Sequence, residues 1–174
     1  MIDTHAHLTR PGVYEHADEL IDEARREGLL GIINVTMSLD EARNALNLVS
    51  KYRGFVYTAL GYDYGGFDIR EVQSIMKIIN DNKDVIVGIG EVGLDYSKVR
   101  DPMLREISRH IFTRWVLLAK ELDLPIIIHS RDAENDVIEL LRKYGPVRCI
   151  MHAFGGNKSQ VMTSCRERYA RVRA

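Results

Sequence analysis

No stretch of this 174-residue chain approaches the roughly 18 apolar residues that a membrane span requires. The first residues, Met1-Ile2-Asp3-Thr4-His5, lack the basic region and long apolar run of a secretory signal. The chain therefore reads as neither secreted nor membrane-embedded. Cysteine is scarce: Cys149 lies in an apolar run and Cys165 in a polar tail, and a pair so placed makes neither a disulfide framework nor a zinc knuckle. A reducing, cytoplasmic setting follows as the default. Charge of one sign is also lacking, since 24 basic and 25 acidic residues leave a net charge of −1. No global field draws in nucleic acid, so any such attraction must come from a local feature such as bound metal ions. Low-complexity segments, interdomain linkers and short sequence repeats are missing too.

What is present is an ordinary globular composition, 45% hydrophobic and 28% charged, in a length that suits one domain. Short apolar, β-branched runs alternate with longer segments of helical period, the pattern of repeated βα units around a parallel sheet. Six strands are predicted, at Met1–His5, Leu30–Thr36, Phe55–Leu60, Val85–Ile89, Pro125–His129 and Val147–His152. Each is continuously apolar, as a strand covered on both faces must be. Helices are predicted at about Tyr14–Glu27, Leu39–Tyr52, Ile69–Asp81, Met103–Leu122 and Ala133–Tyr144. Gly28 and Gly145 suit C-cap positions, and Asp132 suits an N-cap. In the longest helix Leu104, Ile107, Ile111, Trp115, Leu118 and Leu122 form one apolar stripe, expected to face the sheet.

Four of the six histidines, His5, His7, His129 and His152, fall at or just past the C-terminal ends of strands 1, 5 and 6. Those ends converge on one face of a barrel or open α/β sheet, where ligands bind. His16 and His110 lie in predicted helices and read as surface residues. His5 and His7 are two apart, so in extended chain both rings point the same way and can hold one ion. Alone, such a pair is equally well two polar residues at a strand end. Strands 5 and 6 add to it, because each closes an uninterrupted apolar run with a histidine, in Ile126-Ile127-Ile128-His129 and Cys149-Ile150-Met151-His152.

A carboxylate follows the fourth strand, in Val87-Gly88-Ile89-Gly90-Glu91-Val92-Gly93-Leu94-Asp95-Tyr96. Glu91 stands beside Gly90 and close to Gly93, which permit close approach to a metal or phosphate, and its two oxygens could bridge two cations. A turn with a solvated glutamate is the plainer reading. Asp95 suits either a turn or a partner that orients a histidine.

At these residues the chain resembles the TatD family of metal-dependent hydrolases, a branch of the amidohydrolase-like barrels. The resemblance rests on Asp3-Thr4-His5-Ala6-His7-Leu8, Gly90-Glu91-Val92-Gly93-Leu94-Asp95-Tyr96, Leu124-Pro125-Ile126-Ile127-Ile128-His129-Ser130-Arg131-Asp132-Ala133 and His152-Ala153-Phe154-Gly155-Gly156, and runs from Met1 to about Met162. It implies an α/β fold of the (β/α)8 TIM-barrel type, here with about six βα units. It also implies one divalent ion on His5 and His7, a second on His129 and His152, and Glu91 as the catalytic bridge between them. Mg, Mn, Zn, Co or Ni all suit such ligands. The substrate implied is DNA or another phosphodiester, and Arg131 suits a phosphate contact or an ordinary salt bridge.

The chain departs from the family twice. Where members carry Gly-x-His-Pro after strand 3, it reads Leu60-Gly61-Tyr62-Asp63-Tyr64, with Asp63 at the histidine position. Asp63 is expected as an exposed loop carboxylate or, alternatively, near the metals. It also stops short of the family's metal-binding aspartate at the end of strand 8. The last residues, Thr163 to Ala174, hold four arginines and no seventh-strand pattern. They read as a frameshift or premature stop, or as a genuine basic helical end. On this reading residues 1–174 form a single domain whose exposed edges, at strands 1 and 6, favour self-association. The function expected is metal-dependent phosphodiester hydrolysis. The alternatives are an impaired fragment that binds metal and an amidohydrolase-like enzyme acting on a small ester or amide.

Overall fold

A computed structural model describes residues 1–145, 147–160 and the backbone of 170–172. Seven strands run in chain order: β1 Ile2–Ala6, β2 Gly31–Val35, β3 Val56–Leu60, β4 Gly88–Asp95, β5 Ile126–Arg131, β6 Cys149–His152 and β7 Ala170–Val172. Between them lie α1 Ala17–Arg26 after a 3-10 turn, α2 Leu39–Lys51, α3 Ile69–Asp81, α4 Pro102–Glu121 and α5 Glu134–Tyr144. All strands are parallel and each pairs with its neighbours in sequence, in the order β1-β2-β3-β4-β5-β6-β7. Successive βα units give this order when they build a barrel wall. Among the described residues no helix is long and apolar enough to cross a membrane.

Local chemistry sets the helix starts. Ser38 accepts from the Glu41 amide at α2, Asp68 accepts from Arg70 and Glu71 at α3, and Asp101 accepts from Met103 and Leu104 at α4, where Pro102 opens the helix. Gly28, at φ +83°, follows the last turn of α1 in the left-handed conformation expected of it. Gly145 caps α5 in an extended conformation instead. Asp132 does not cap α5: it takes a left-handed φ of +55°, and Ala133 stands at the N-cap without a side-chain bond.

The sheet divides its side chains by parity. On β5, Ile126 and Ile128 join the large core beneath the helices with Phe112, Trp115, Val137 and Leu141. Ile127 points to the other face, where it meets Val35 and Ala59. On α4 the buried positions are Ser108, Ile111, Phe112, Trp115, Val116, Leu118 and Ala119, whereas Leu104 and Ile107 are 37% exposed. The predicted stripe thus fails over the first turns, where Ser108 rather than Ile107 is buried.

Two further expectations are corrected. The fourth strand does not end at Ile89. It begins at Gly88 and runs through Glu91 to Asp95, while Val85 and Ile86 form a turn whose amides both bond to the Asn82 carbonyl. Glycines taken as turn signals are part of the strand. A seventh strand also exists where none was expected: Ala170–Val172 pairs with β6, so β6 is not an edge. Alternation of small, charged and apolar residues over three positions is too short a pattern to stand out. The rest of the tail, with Cys165, lies outside the described residues.

Candidate metal centre

The face of the sheet away from the helices collects the polar residues. On β4 the register slips between Ile89 and Val92, so that both join the apolar core although they are three apart. Glu91, Gly93 and Asp95 consequently share the opposite face. On β5 His129 follows the parity of Ile127, and on β6 His152 follows that of Ile150, which packs with Ile127. Gly93 pairs with His129, and an added Cβ at Gly93 would lie 1.9 Å from the His129 carbonyl oxygen. Only a glycine lets β4 run this close to β5.

Glu91 is 3% exposed, and its two side-chain oxygens face different partners. Oε2 lies 3.5 Å from His5 Nε2 and 3.7 Å from His7 Nε2, and those two nitrogens are 3.3 Å apart. Oε1 lies 3.1 Å from His129 Nδ1. The His152 ring stacks on that of His5, with centroids 3.4 Å apart and planes at 5°. Since β1 and β6 are not neighbours in the sheet, this contact requires the wall to curl until side chains of β1 and β6 meet across the interior. His129 and His152 also line one cleft of about 230 Å3 with Arg131 and Asp132.

Asp95, which is 2% exposed, contacts both its own turn and His129. Its Oδ1 accepts from the Ser97 amide and hydroxyl and from the Lys98 amide, and its Oδ2 lies 3.0 Å from His129 Nε2. Burial works against its charge, but the Ser97, Lys98 and His129 bonds outweigh it and keep the carboxyl below the usual range. Burial also opposes the charge on Glu91, and hydrogen bonds from His129 and His5 outweigh it strongly. His7 and His152 are pushed down from 6.5, first by burial and then by the neighbouring His5. Both are therefore neutral at pH 7 and keep a lone pair for a ligand.

The donor set fits a cation. Nitrogens of His5 and His152 and an oxygen of Glu91 lie within 4.8 Å of one another. The Nδ1 atoms of His5 and His7 are buried without a hydrogen-bond partner. Acceptor atoms crowded at such distances repel unless a proton or a metal ion lies between them, and buried polar atoms left unpaired are costly. Imidazole and carboxylate are the ligands that Zn, Mn, Co and Ni share.

The neighbouring residues differ in their engagement. Arg131 ends β5 exposed at the cleft and, among the described residues, forms no ion pair. Asp63 closes a turn by accepting from the Gly65 amide, so its carboxylate is partly occupied by its own loop. Two supporting residues escaped the sequence reading. Asn34 on β2, wholly buried, accepts from the Leu8 amide at 2.7 Å and donates to Thr9, which fixes the chain just after His7. Tyr64 stacks on His129 with centroids 3.7 Å apart. Asn34 lies in an apolar strand, the one local sign that it is needed there.

A profile of the family described as TatD related DNase matches residues 2–170. The human deoxyribonuclease TATDN3 is 30% identical over 97% of this chain and 66% of its own length. A metal-dependent hydrolase of Bacillus subtilis (strain 168), YabD, is 33% identical over 95% of this chain and 64% of its own. The crystal structure of the TatD homologue YJJV from Escherichia coli K12 superposes with a TM-score of 0.87 at 24% identity, covering 98% of this chain and 66% of that one. The chain thus spans roughly two thirds of the length of these proteins, and the fold is that of a (β/α)8-type barrel wall. With its four motifs on one face of that wall, the chain belongs to the TatD-related DNase family.

Proposed function

We propose that the protein hydrolyses phosphodiester bonds in DNA with the help of two divalent cations, held by His5, His7, Glu91, His129 and His152. The observation that carries this reading is the division of the Glu91 carboxylate, one oxygen toward His5 and His7 and the other toward His129. A carboxylate so placed joins two groups of imidazoles into one centre. Cations held by these residues would supply electrophilic activation of a phosphoryl oxygen and of water.

The chain's own residues do the rest. Asp95 holds the far edge of the His129 ring, which leaves Nδ1 turned to Glu91. Arg131, free of ion pairs among the described residues and exposed at the cleft, offers a bidentate contact to a phosphate. The names of the relatives, a deoxyribonuclease and a metal-dependent hydrolase, support the same reaction class. A cytoplasmic place of action accords with Cys149 as a buried free thiol.

The test is cleavage of labelled single-stranded DNA by the purified protein with Mg, Mn or Zn, beside Glu91→Gln, which keeps the shape and removes the charge. The expected result is metal-dependent cleavage that a chelator abolishes and that Glu91→Gln slows at least about 100-fold. Cleavage by the unmodified protein no faster than by Glu91→Gln, with every metal, refutes the reading.

A further inference from the structure

Besides Glu91, two of the described residues contact the His129 ring. One is Asp95, the last residue of β4, at the Nε2 edge, and the Lys98 amide in the turn that follows helps to fix Asp95. The other makes a face contact: the Tyr64 ring lies on the imidazole with centroids 3.7 Å apart and planes at 6°. Tyr64 is itself held. Its loop is closed by Asp63, which accepts from the Gly65 amide, and by Tyr62, whose hydroxyl accepts from the Asp68 amide. Gly66 packs so tightly on Tyr62 that an added Cβ would lie 2.7 Å from the ring. The Lys98 ammonium lies 4.7 Å from the Tyr64 centroid, so the same turn that positions Asp95 also meets the tyrosine.

Edge contacts alone leave a ring free to rock about the axis through its two bonded nitrogens. Contact with a flat aromatic face removes that freedom, because any tilt drives ring atoms into each other. We propose that Tyr64 is a positioning residue for His129, fixing the plane of its imidazole so that Nδ1 stays aimed at the Glu91 carboxylate. The role rests on the reading of His129 as a metal ligand. It belongs to the tyrosine ring rather than to the hydroxyl, for which no hydrogen bond is seen among the described residues. The chain departs from the family's Gly-x-His-Pro segment at Asp63, and Tyr64 follows it where that pattern has proline.

Two measurements on the purified protein test it. The first is Zn affinity, by competition with a chromogenic chelator, for the unmodified protein, Tyr64→Phe and Tyr64→Ala, each also in a His129→Ala background. Tyr64→Phe should bind as the unmodified protein does, and Tyr64→Ala about tenfold more weakly, the lower end of what residues supporting a ligand contribute. That loss should vanish once His129 is gone. An unchanged affinity in Tyr64→Ala, or an equal loss without His129, overturns the proposal. The second is the metal-free NMR spectrum, in which the ring protons of His129, assigned by their absence from His129→Ala, should be shifted upfield by the tyrosine. They should move downfield in Tyr64→Ala and stay in Tyr64→Phe. Ring protons that do not move in Tyr64→Ala refute the stack whatever the metal does. Should the unmodified protein bind no Zn while the ring protons behave as described, it is the metal-centre reading that fails and the positioning of the ring that stands.

Discussion

Gly93 joins the fold to the candidate metal centre, and Gly93→Ala exposes how much depends on it. The residue sits at φ +154°, a conformation that costs an L-residue on the order of 1–3 kcal/mol. Its new Cβ would start 1.9 Å from the His129 carbonyl oxygen, where real contacts stay beyond 3.0 Å, so the two paired strands must part by roughly 1 Å. Such overpacking between rigid backbones costs about 1–3 kcal/mol more. The sum, about 2–6 kcal/mol, is a large share of the ~5–15 kcal/mol that holds a domain together. Gly28→Ala is the control, since Gly28 has φ +83° but open space around it. It carries only the backbone penalty, about 1 kcal/mol. Urea unfolding of both variants, followed by far-UV circular dichroism, should place Gly93→Ala lower in midpoint by roughly 1–2 M, given a slope of about 1–3 kcal/mol per M. Zn affinity should fall with it, because His129 moves with its own carbonyl. Equal midpoints for the two alanine variants would show that β4 and β5 are not packed as described.

Stability of the metal-free protein should fall as the pH drops below about 6.5. His7 and His152 are held below 6.5 by burial and by His5, so the unfolded chain takes up protons there that the folded chain refuses, at about 1.4 kcal/mol per pH unit for each whole proton. Glu91 and Asp95, whose folded values lie below 4.5 and 3.8, extend the loss in acid, while Glu41, raised by burial, opposes it weakly. Urea midpoints from pH 7.5 to 4 with a chelator present should decline steadily, and His7→Gln should flatten the first part; a midpoint that rises toward acid contradicts the assignment. Cys149 is buried and its thiol is pushed up to about 12, so in a Cys165→Ser variant a thiol reagent at pH 8 should label the protein only after unfolding. Rapid labelling of that variant in the native state would place Cys149 elsewhere.

The parts of this centre that were legible in the sequence are those that local pattern announces. A histidine that closes an apolar run is visible because strands point alternate residues to alternate faces, and His129 and His152 are both of this kind. Glu91 was visible as a motif residue but not as a strand residue, since Gly90 and Gly93 suggest a turn until a neighbouring strand requires their absent side chains. Tyr64 and Asn34 were not legible, because each acts on a residue far away in sequence. Asp132 looked like a helix cap on composition, and only the backbone shows that it is left-handed instead. The first turns of α4 were misjudged for a related reason: Leu104 and Ile107 have the right spacing, but the helix buries Ser108 at that level instead.

The stacked rings of His5 and His152 also carry a consequence for the order of assembly. The triangle of Glu91, Asp95 and His129 lies on one adjacent pair of strands and can form with little chain to organise. The His5–His152 contact closes nearly the whole described wall, and long-range closures are slow because the intervening chain must first be ordered. The ring pair forms only when β1 and β6 have come together across the interior. It acts as a latch: until it closes, the imidazoles of His5 and His152 are not held against each other.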